Sequence, residues 1–140
     1  MMRITPSLLF PTLLAFMTLD CGGDVVGDGT FTSSLTGSYG GTAQDNIAGS
    51  GTLAGSITQS GSSFSGTFST AYSNPDFNNS GVITGTVNGN SVSFAIDSAD
   101  PATCDFVGTG TRSSEDRITG TFQETAGCSV DVAGSLDISR

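Results

Sequence analysis

The sequence predicts an all-β domain folded as a single eight-stranded antiparallel up-and-down barrel, with a β-sandwich as the alternative. Three observations lead there. First, a five-residue pattern of apolar, small or polar, Gly, small or polar, apolar recurs through the chain. It reads Leu35-Thr36-Gly37-Ser38-Tyr39, Leu53-Ala54-Gly55-Ser56-Ile57, Phe64-Ser65-Gly66-Thr67-Phe68, Ile83-Thr84-Gly85-Thr86-Val87, Ile118-Thr119-Gly120-Thr121-Phe122 and Val132-Ala133-Gly134-Ser135-Leu136. A strand sends alternate side chains to opposite faces, so each copy puts apolar residues and Gly on one face and mostly hydroxyls on the other. Second, short polar turn signals separate the alternating stretches, and no stretch has helical period. Third, no connection is long enough for a crossover helix, so sequential antiparallel pairing is the economical topology. Closing that meander into a barrel removes its exposed edges.

Taken in order, the chain opens like an export signal. Met1-Met2-Arg3 is followed by an uncharged, mostly apolar run over residues 4–19 that is short and Pro-interrupted for a membrane span. Cys21 comes next. Thr18-Leu19-Asp20-Cys21 resembles the lipobox of bacterial lipoproteins, with Thr18 and Asp20 where that family carries Leu and a small residue. The resemblance implies a signal peptide over 1–20, a lipid on Cys21 and attachment to a membrane through that lipid. The rival is ordinary cleavage near Gly23, which would release a secreted protein. Residues 21–33, rich in Gly and Asp, read as a flexible tether, and 34–140 as the barrel domain.

Strands are expected near 34–43, 50–59, 63–72, 80–87, 91–98, 104–112, 117–124 and 128–139. Ser60-Gly61-Ser62 and Asn88-Gly89 are hairpin turns, the second with type I′ chemistry, and Ser113 to Asp116 is another short turn. Glycine in mid-strand weakens a flat sheet but permits strong coiling and close approach. Variable motif spacing argues against a solenoid. The hydroxyl-rich face argues against an outer-membrane barrel, whose outer surface is apolar. The chain resembles the lipocalin-like and avidin-like class of small exported meander barrels. Both families carry an early Trp that is missing here, so the resemblance implies topology and carries over no ligand residue.

Composition narrows function mainly by exclusion. The chain has no His or Trp, its basic residues are four arginines, and its net charge is −9. That balance disfavours nucleic acid and electrostatic docking to anionic lipid. No imidazole base and no lysine amine exist, and no Ser lies in a nucleophile elbow. Asp97, Asp100 and Asp105 read as a solvated acidic loop, without the spacing of a calcium loop. With Cys21 lipidated, Cys104 and Cys128 remain as a disulfide pair in an oxidising compartment, since two Cys without His make a poor zinc set. No metal, cofactor or catalytic residue is expected, and the protein reads as non-enzymatic.

The expected interior comprises Leu35, Tyr39, Leu53, Ile57, Phe64, Phe68, Ile83, Val87, Val92, Phe94, Ile96, Phe106, Ile118, Phe122, Val130, Val132, Leu136 and Ile138. An eight-stranded interior is just wide enough to be filled by side chains or to hold one small ligand. Inward Gly could leave a slot for it. Tight turns fall at the end where the first strand begins (the near end) and longer loops at the far end, where binding residues concentrate on rigid scaffolds. Phe77 is read as the bulky apolar residue of those loops and Tyr72 stands at the rim. Tyr72, Phe77, Asn78 and Asp100 are the candidate contact residues for a small apolar ligand or a surface protein. The sequence thus points to an exported lipoprotein of the bacterial envelope, at the outer membrane or cell surface, with such a binding role. The alternative is a structural envelope protein whose barrel is filled.

Overall fold

A computed structural model describes residues 30–125 and 128–140. The segment expected as a signal peptide, Cys21 and the expected tether up to residue 29 lie outside the described residues. The strands are β1 (Gly37–Asp45), β2 (Gly49–Ser60), β3 (Ser63–Tyr72), β4 (Asn79–Asn88), β5 (Ser91–Ser98), β6 (Phe106–Ser114), β7 (Arg117–Glu124) and β8 (Ala133–Ser139). A 3-10 turn, Pro75–Phe77, lies between β3 and β4. Each strand pairs antiparallel with the next, and β8 pairs with β1 from Gly40↔Ser139 to Asp45↔Gly134. The sheet is therefore a closed up-and-down barrel in sequence order, which rules out the sandwich.

Three expectations shift. The hairpin between β4 and β5 turns on Gly89-Asn90, one residue later than expected. Gly89 has φ +59°, and no non-Gly residue among those described has positive φ. Positive φ at the first turn position alone is the type II′ pattern, not type I′. Gly61, with φ +61°, opens the β2–β3 hairpin the same way. The second shift is at the far end, where β6 begins at Phe106 and β8 at Ala133, so Cys104 and Cys128 lie in loops rather than at strand starts. Third, Val130 belongs to such a loop and is 52% exposed rather than inward.

Inside, bulky side chains and glycines alternate between neighbouring strands. Phe68 stands opposite Gly55 and Gly81, Phe94 opposite Gly85 and Gly108, and Phe122 opposite Gly108 and Gly134. Rings lie over Gly85, Gly108 and Gly134. A Cβ added at Gly85 would meet the Phe64 ring, and one at Gly108 the Phe94 ring. These glycines therefore give the aromatic rings room. Ser and Thr fill the outer face, as at Ser38, Ser56, Ser65, Thr67, Thr86 and Thr121, all exposed.

The near end is sealed from outside the strands. Leu35 is fully buried there and accepts the Tyr39 hydroxyl at its carbonyl (2.9 Å). Arg112, 3% exposed, points inward from β6. Its Nη1 donates to the carbonyls of Phe31 (3.1 Å) and Ser33 (3.0 Å), and its Nη2 to Ser33 Oγ (2.7 Å) and the Glu115 carbonyl (3.4 Å). Its guanidinium carbon also lies 5.5 Å from the Phe31 ring centre. Burial lowers the Arg112 pKa from the ordinary arginine value, and no carboxylate of the described residues pairs with it. Phe31 N–H donates to Asn90 Oδ1 (2.8 Å). Residues 30–33, expected as tether, are thus bonded to the barrel.

Candidate ligand cavity at the far end

The far half of the interior is less full. A cavity of about 250 Å³ opens there. Its walls come from alternate inward positions: Ala43 on β1, Leu53 on β2, Phe68 and Thr70 on β3, Ile96 on β5, Phe106 on β6, Phe122 on β7 and Leu136 on β8. Phe106 and Phe122 meet edge to face at 5.6 Å between centroids, a favourable aromatic geometry. The lip is made by Ile47, Ala48, Tyr72, Phe77, Ala102, Thr103 and Val130, with the carboxylates of Asp45 and Asp76 among them.

The loops that carry this lip are held by side-chain-to-backbone bonds. Asp45 Oδ1 accepts from the N–H of Ile47 (2.8 Å) and Ala48 (2.5 Å), closing the β1–β2 turn. Asn74 Oδ1 accepts from Asp76 N–H (3.1 Å), which starts the 3-10 turn and presents Phe77. Asn46 ties two loops together: its Nδ2 donates to the Asp131 carbonyl (2.9 Å) and its Oδ1 accepts from Ala133 N–H (2.9 Å). Cys104 and Cys128 form a disulfide, with Cα atoms 5.5 Å apart, which joins the β5–β6 and β7–β8 connections across the mouth. Tyr72 is hydrogen-bonded to the Asp45 side chain. Burial first, then that bond and the charge behind it, push the Tyr72 hydroxyl well above the usual tyrosine range.

Of the four contact residues expected from sequence, Tyr72 and Phe77 meet at the cavity, with Phe77 41% exposed. Asn78 and Asp100 do not line it. The Asn78 side chain accepts from Tyr72 N–H (2.8 Å), and Asp100 caps its own turn by accepting from Ala102 N–H (2.9 Å). Both shape loops that hold the lip. Phe77 is not alone there, because Ile47 (46% exposed) and Val130 are bulky apolar residues of the same loops. Sequence reasoning passed over Ala43, buried in the cavity wall, and Arg112 at the opposite end. Strand parity could have found both, since Ala43 is two turns of the alternation beyond Tyr39 and Arg112 follows Phe106, Gly108 and Gly110 on one face.

Asp97, Asp100 and Asp105 do not converge on a common point. Among the described residues the one group of metal-ligating side chains that does is Cys104, Glu124 and Cys128. With the two sulfurs bonded to each other, neither thiolate is offered to a metal.

No protein family and no curated protein matches the sequence. Solved structures do resemble the barrel. The protein EF1p2_mFAP2b bound to DFHBI superposes with a TM-score of 0.66 at 12% identity, over 76% of this chain and 93% of that one. A redesigned β barrel, mFAP1, bound to DFHBI gives 0.62 at 15% identity, over 76% and 94%. A further redesigned β barrel gives 0.59 at 14%, over 76% and 90%. At such identities the likeness is one of fold. Fold and site together define a small meander barrel with an apolar cavity open at one end.

Proposed function

We propose that the protein is a non-enzymatic, exported lipoprotein of the bacterial envelope whose barrel binds a small apolar ligand through its far end. The cavity carries this reading: it is walled mostly by apolar side chains, opens among loops pinned by a disulfide, and lies opposite a sealed end. Its size, about 250 Å³, suits a molecule smaller than a drug-sized ligand. Two of the similar barrels are bound to DFHBI, which supports a barrel of this kind holding a small molecule. The missing imidazole and amine bases support a binding role over catalysis.

The anchor follows from Cys21. Residues 30–36 run along the near end, which supports an anchor on that side. An anchored barrel then turns its mouth away from the membrane, at the outer membrane or cell surface. Cys21→Ser should move the protein from the detergent to the aqueous phase. Parent and mutant partitioning alike would overturn the anchor and favour a secreted protein.

A filled structural barrel is the competing reading, and the rings packed over Gly85 and Gly108 favour it. Titration with a neutral apolar fluorophore, N-phenylnaphthylamine, separates the two. Saturable binding that Ala43→Leu abolishes supports the cavity. Absence of saturable binding to the parent supports the filled barrel.

A further inference from the structure

We propose that the cavity takes an apolar molecule with a cationic head: the body lies in the barrel, and an ammonium group is held at the lip by Asp45, Asp76, Tyr72 and Phe77. This rests on the ligand-binding reading above and names the chemistry of that ligand. Three independent features lead to it.

The first is the division of polarity within the cavity. Below the lip the walls are Leu53, Phe68, Ile96, Phe106, Phe122 and Leu136, and the one hydroxyl among them, Thr70, is bonded to the Asn79 backbone. Nothing there can neutralise a charge, so the buried part of an occupant must be apolar. Charge is present only at the lip, where both charged side chains lining the cavity are carboxylates.

The second is that no cation of the described chain answers those carboxylates. The chain has no lysine. Arg112 is spent on Phe31, Ser33 and Glu115, Arg117 is paired with Asp137, and Arg140 with Asp116. Asp100, Asp105, Glu124 and Asp131 lie on the same far-end connections or strand ends and add to the negative field. A carboxylate or phosphate ligand would meet repulsion and no donor of positive charge, whereas a cation would meet complementary charge.

The third is the placement of aromatic rings. Tyr72 and Phe77 line the lip beside the two carboxylates, and ring faces next to acidic groups suit ammonium, above all quaternary ammonium. The pieces are held in place beforehand. Asp45 is fixed by two backbone N–H groups and by Tyr72, and Phe77 sits on the capped 3-10 turn.

The test is calorimetric titration of the full chain, in low salt, with three probes that share one tail: hexyltrimethylammonium, hexanol and hexanesulfonate. The expected order is cation, then alcohol, then sulfonate, with the cation about tenfold tighter than the alcohol and the gap closing as salt is raised. Asp76→Asn, at an exposed position whose side chain takes no part in the turn bonds, should narrow the gap by weakening the cation more than the alcohol. Asp45→Asn is the second variant and should act the same way if its turn is retained. Equal binding of cation and alcohol, or tightest binding of the sulfonate, overturns the cationic head while the cavity reading stands. If none of the three binds, the ligand-binding reading fails and this inference with it.

Discussion

Arg112 holds the near end with a single side chain. A guanidinium buried without a carboxylate is costly unless its donors are met, and here backbone carbonyls and one hydroxyl meet those of both terminal nitrogens. Arg112→Ala would strand those acceptors and leave a void under Leu35 and Phe31. We expect a loss of about 2–4 kcal/mol in urea unfolding, with amide exchange at residues 31–36 accelerating more than in the strands. Arg112→Lys should recover only part of this, because an ammonium cannot reach the same set of acceptors from one planar fork. At the other end Tyr72 sets a pH dependence. Its hydroxyl pKa is raised in the folded state by burial and by Asp45. The protonated form is therefore the stabilised one. The contribution is fully present below the ordinary tyrosine value of about 10 and fades as pH rises above it. Unfolding measured between neutral and strongly alkaline pH should show that loss, and Tyr72→Phe should reduce it. At this scale the sequence was legible where parity alone decides, as for Tyr39, Phe64 and Leu136. It was not legible where a turn bond decides: Asn78 and Asp100 look like exposed binding polars until their backbone partners are known.

The repeated motif explains the strands, and their register explains the motif. Phe68, Phe94 and Phe122 each lie beside a glycine of both neighbouring strands, across tight hairpins and longer connections alike. Rows of rings and gaps then interlock around the barrel. Gly85→Ala should be severe, because its new Cβ would strike both the Ser93 carbonyl and the Phe64 ring. We expect a cost of about 3 kcal/mol or failure to fold. Gly40→Ala is the control. It also lies in a strand, a Cβ there meets nothing within 4 Å, and thermal unfolding should shift little or upward. The strand count, order and most boundaries could be read from alternation and turn residues. The register between strands could not, since it depends on turn geometry that differs by one residue at Gly89-Asn90. Nor could the late starts of β6 and β8, where loop bonds such as Glu124 N–H to the Val132 carbonyl (2.9 Å) replace a regular ladder. The Cys104–Cys128 bridge spans those two loops with a separation of 24 residues. Chain entropy assigns it about 3 kcal/mol, so reduction should lower stability by that order. Thiol titration of denatured, unreduced protein should find neither Cys free.

Considered whole, the barrel has two unlike ends. One is packed by Leu35, Tyr39 and Arg112 under a return segment of chain, and the other is an apolar cup with an acidic lip. The sequence foretold which end carries the longer loops, because short turns alternate with longer polar connections. It did not foretell the cup itself. Cavity volume depends on how far Phe68, Phe106 and Phe122 lean across the interior, and no pattern of residue types states that. The same asymmetry sets where the chain can be cut. Arg140 Nη1 donates to the carbonyls of Ser34 (3.1 Å) and Thr36 (3.0 Å), so the last residue lies against the start of the barrel. A short flexible linker from Arg140 to Thr30 would make the backbone circular at the sealed end. Reopening that circle between Gly61 and Ser62, a tight hairpin on the same side, would leave every lip loop continuous. Such a permutant should keep the strand signature in circular dichroism and bind the fluorophore as the parent does. A permutant opened at Phe77 should fold and lose it, so chain order could be rewritten without disturbing the vessel only from below.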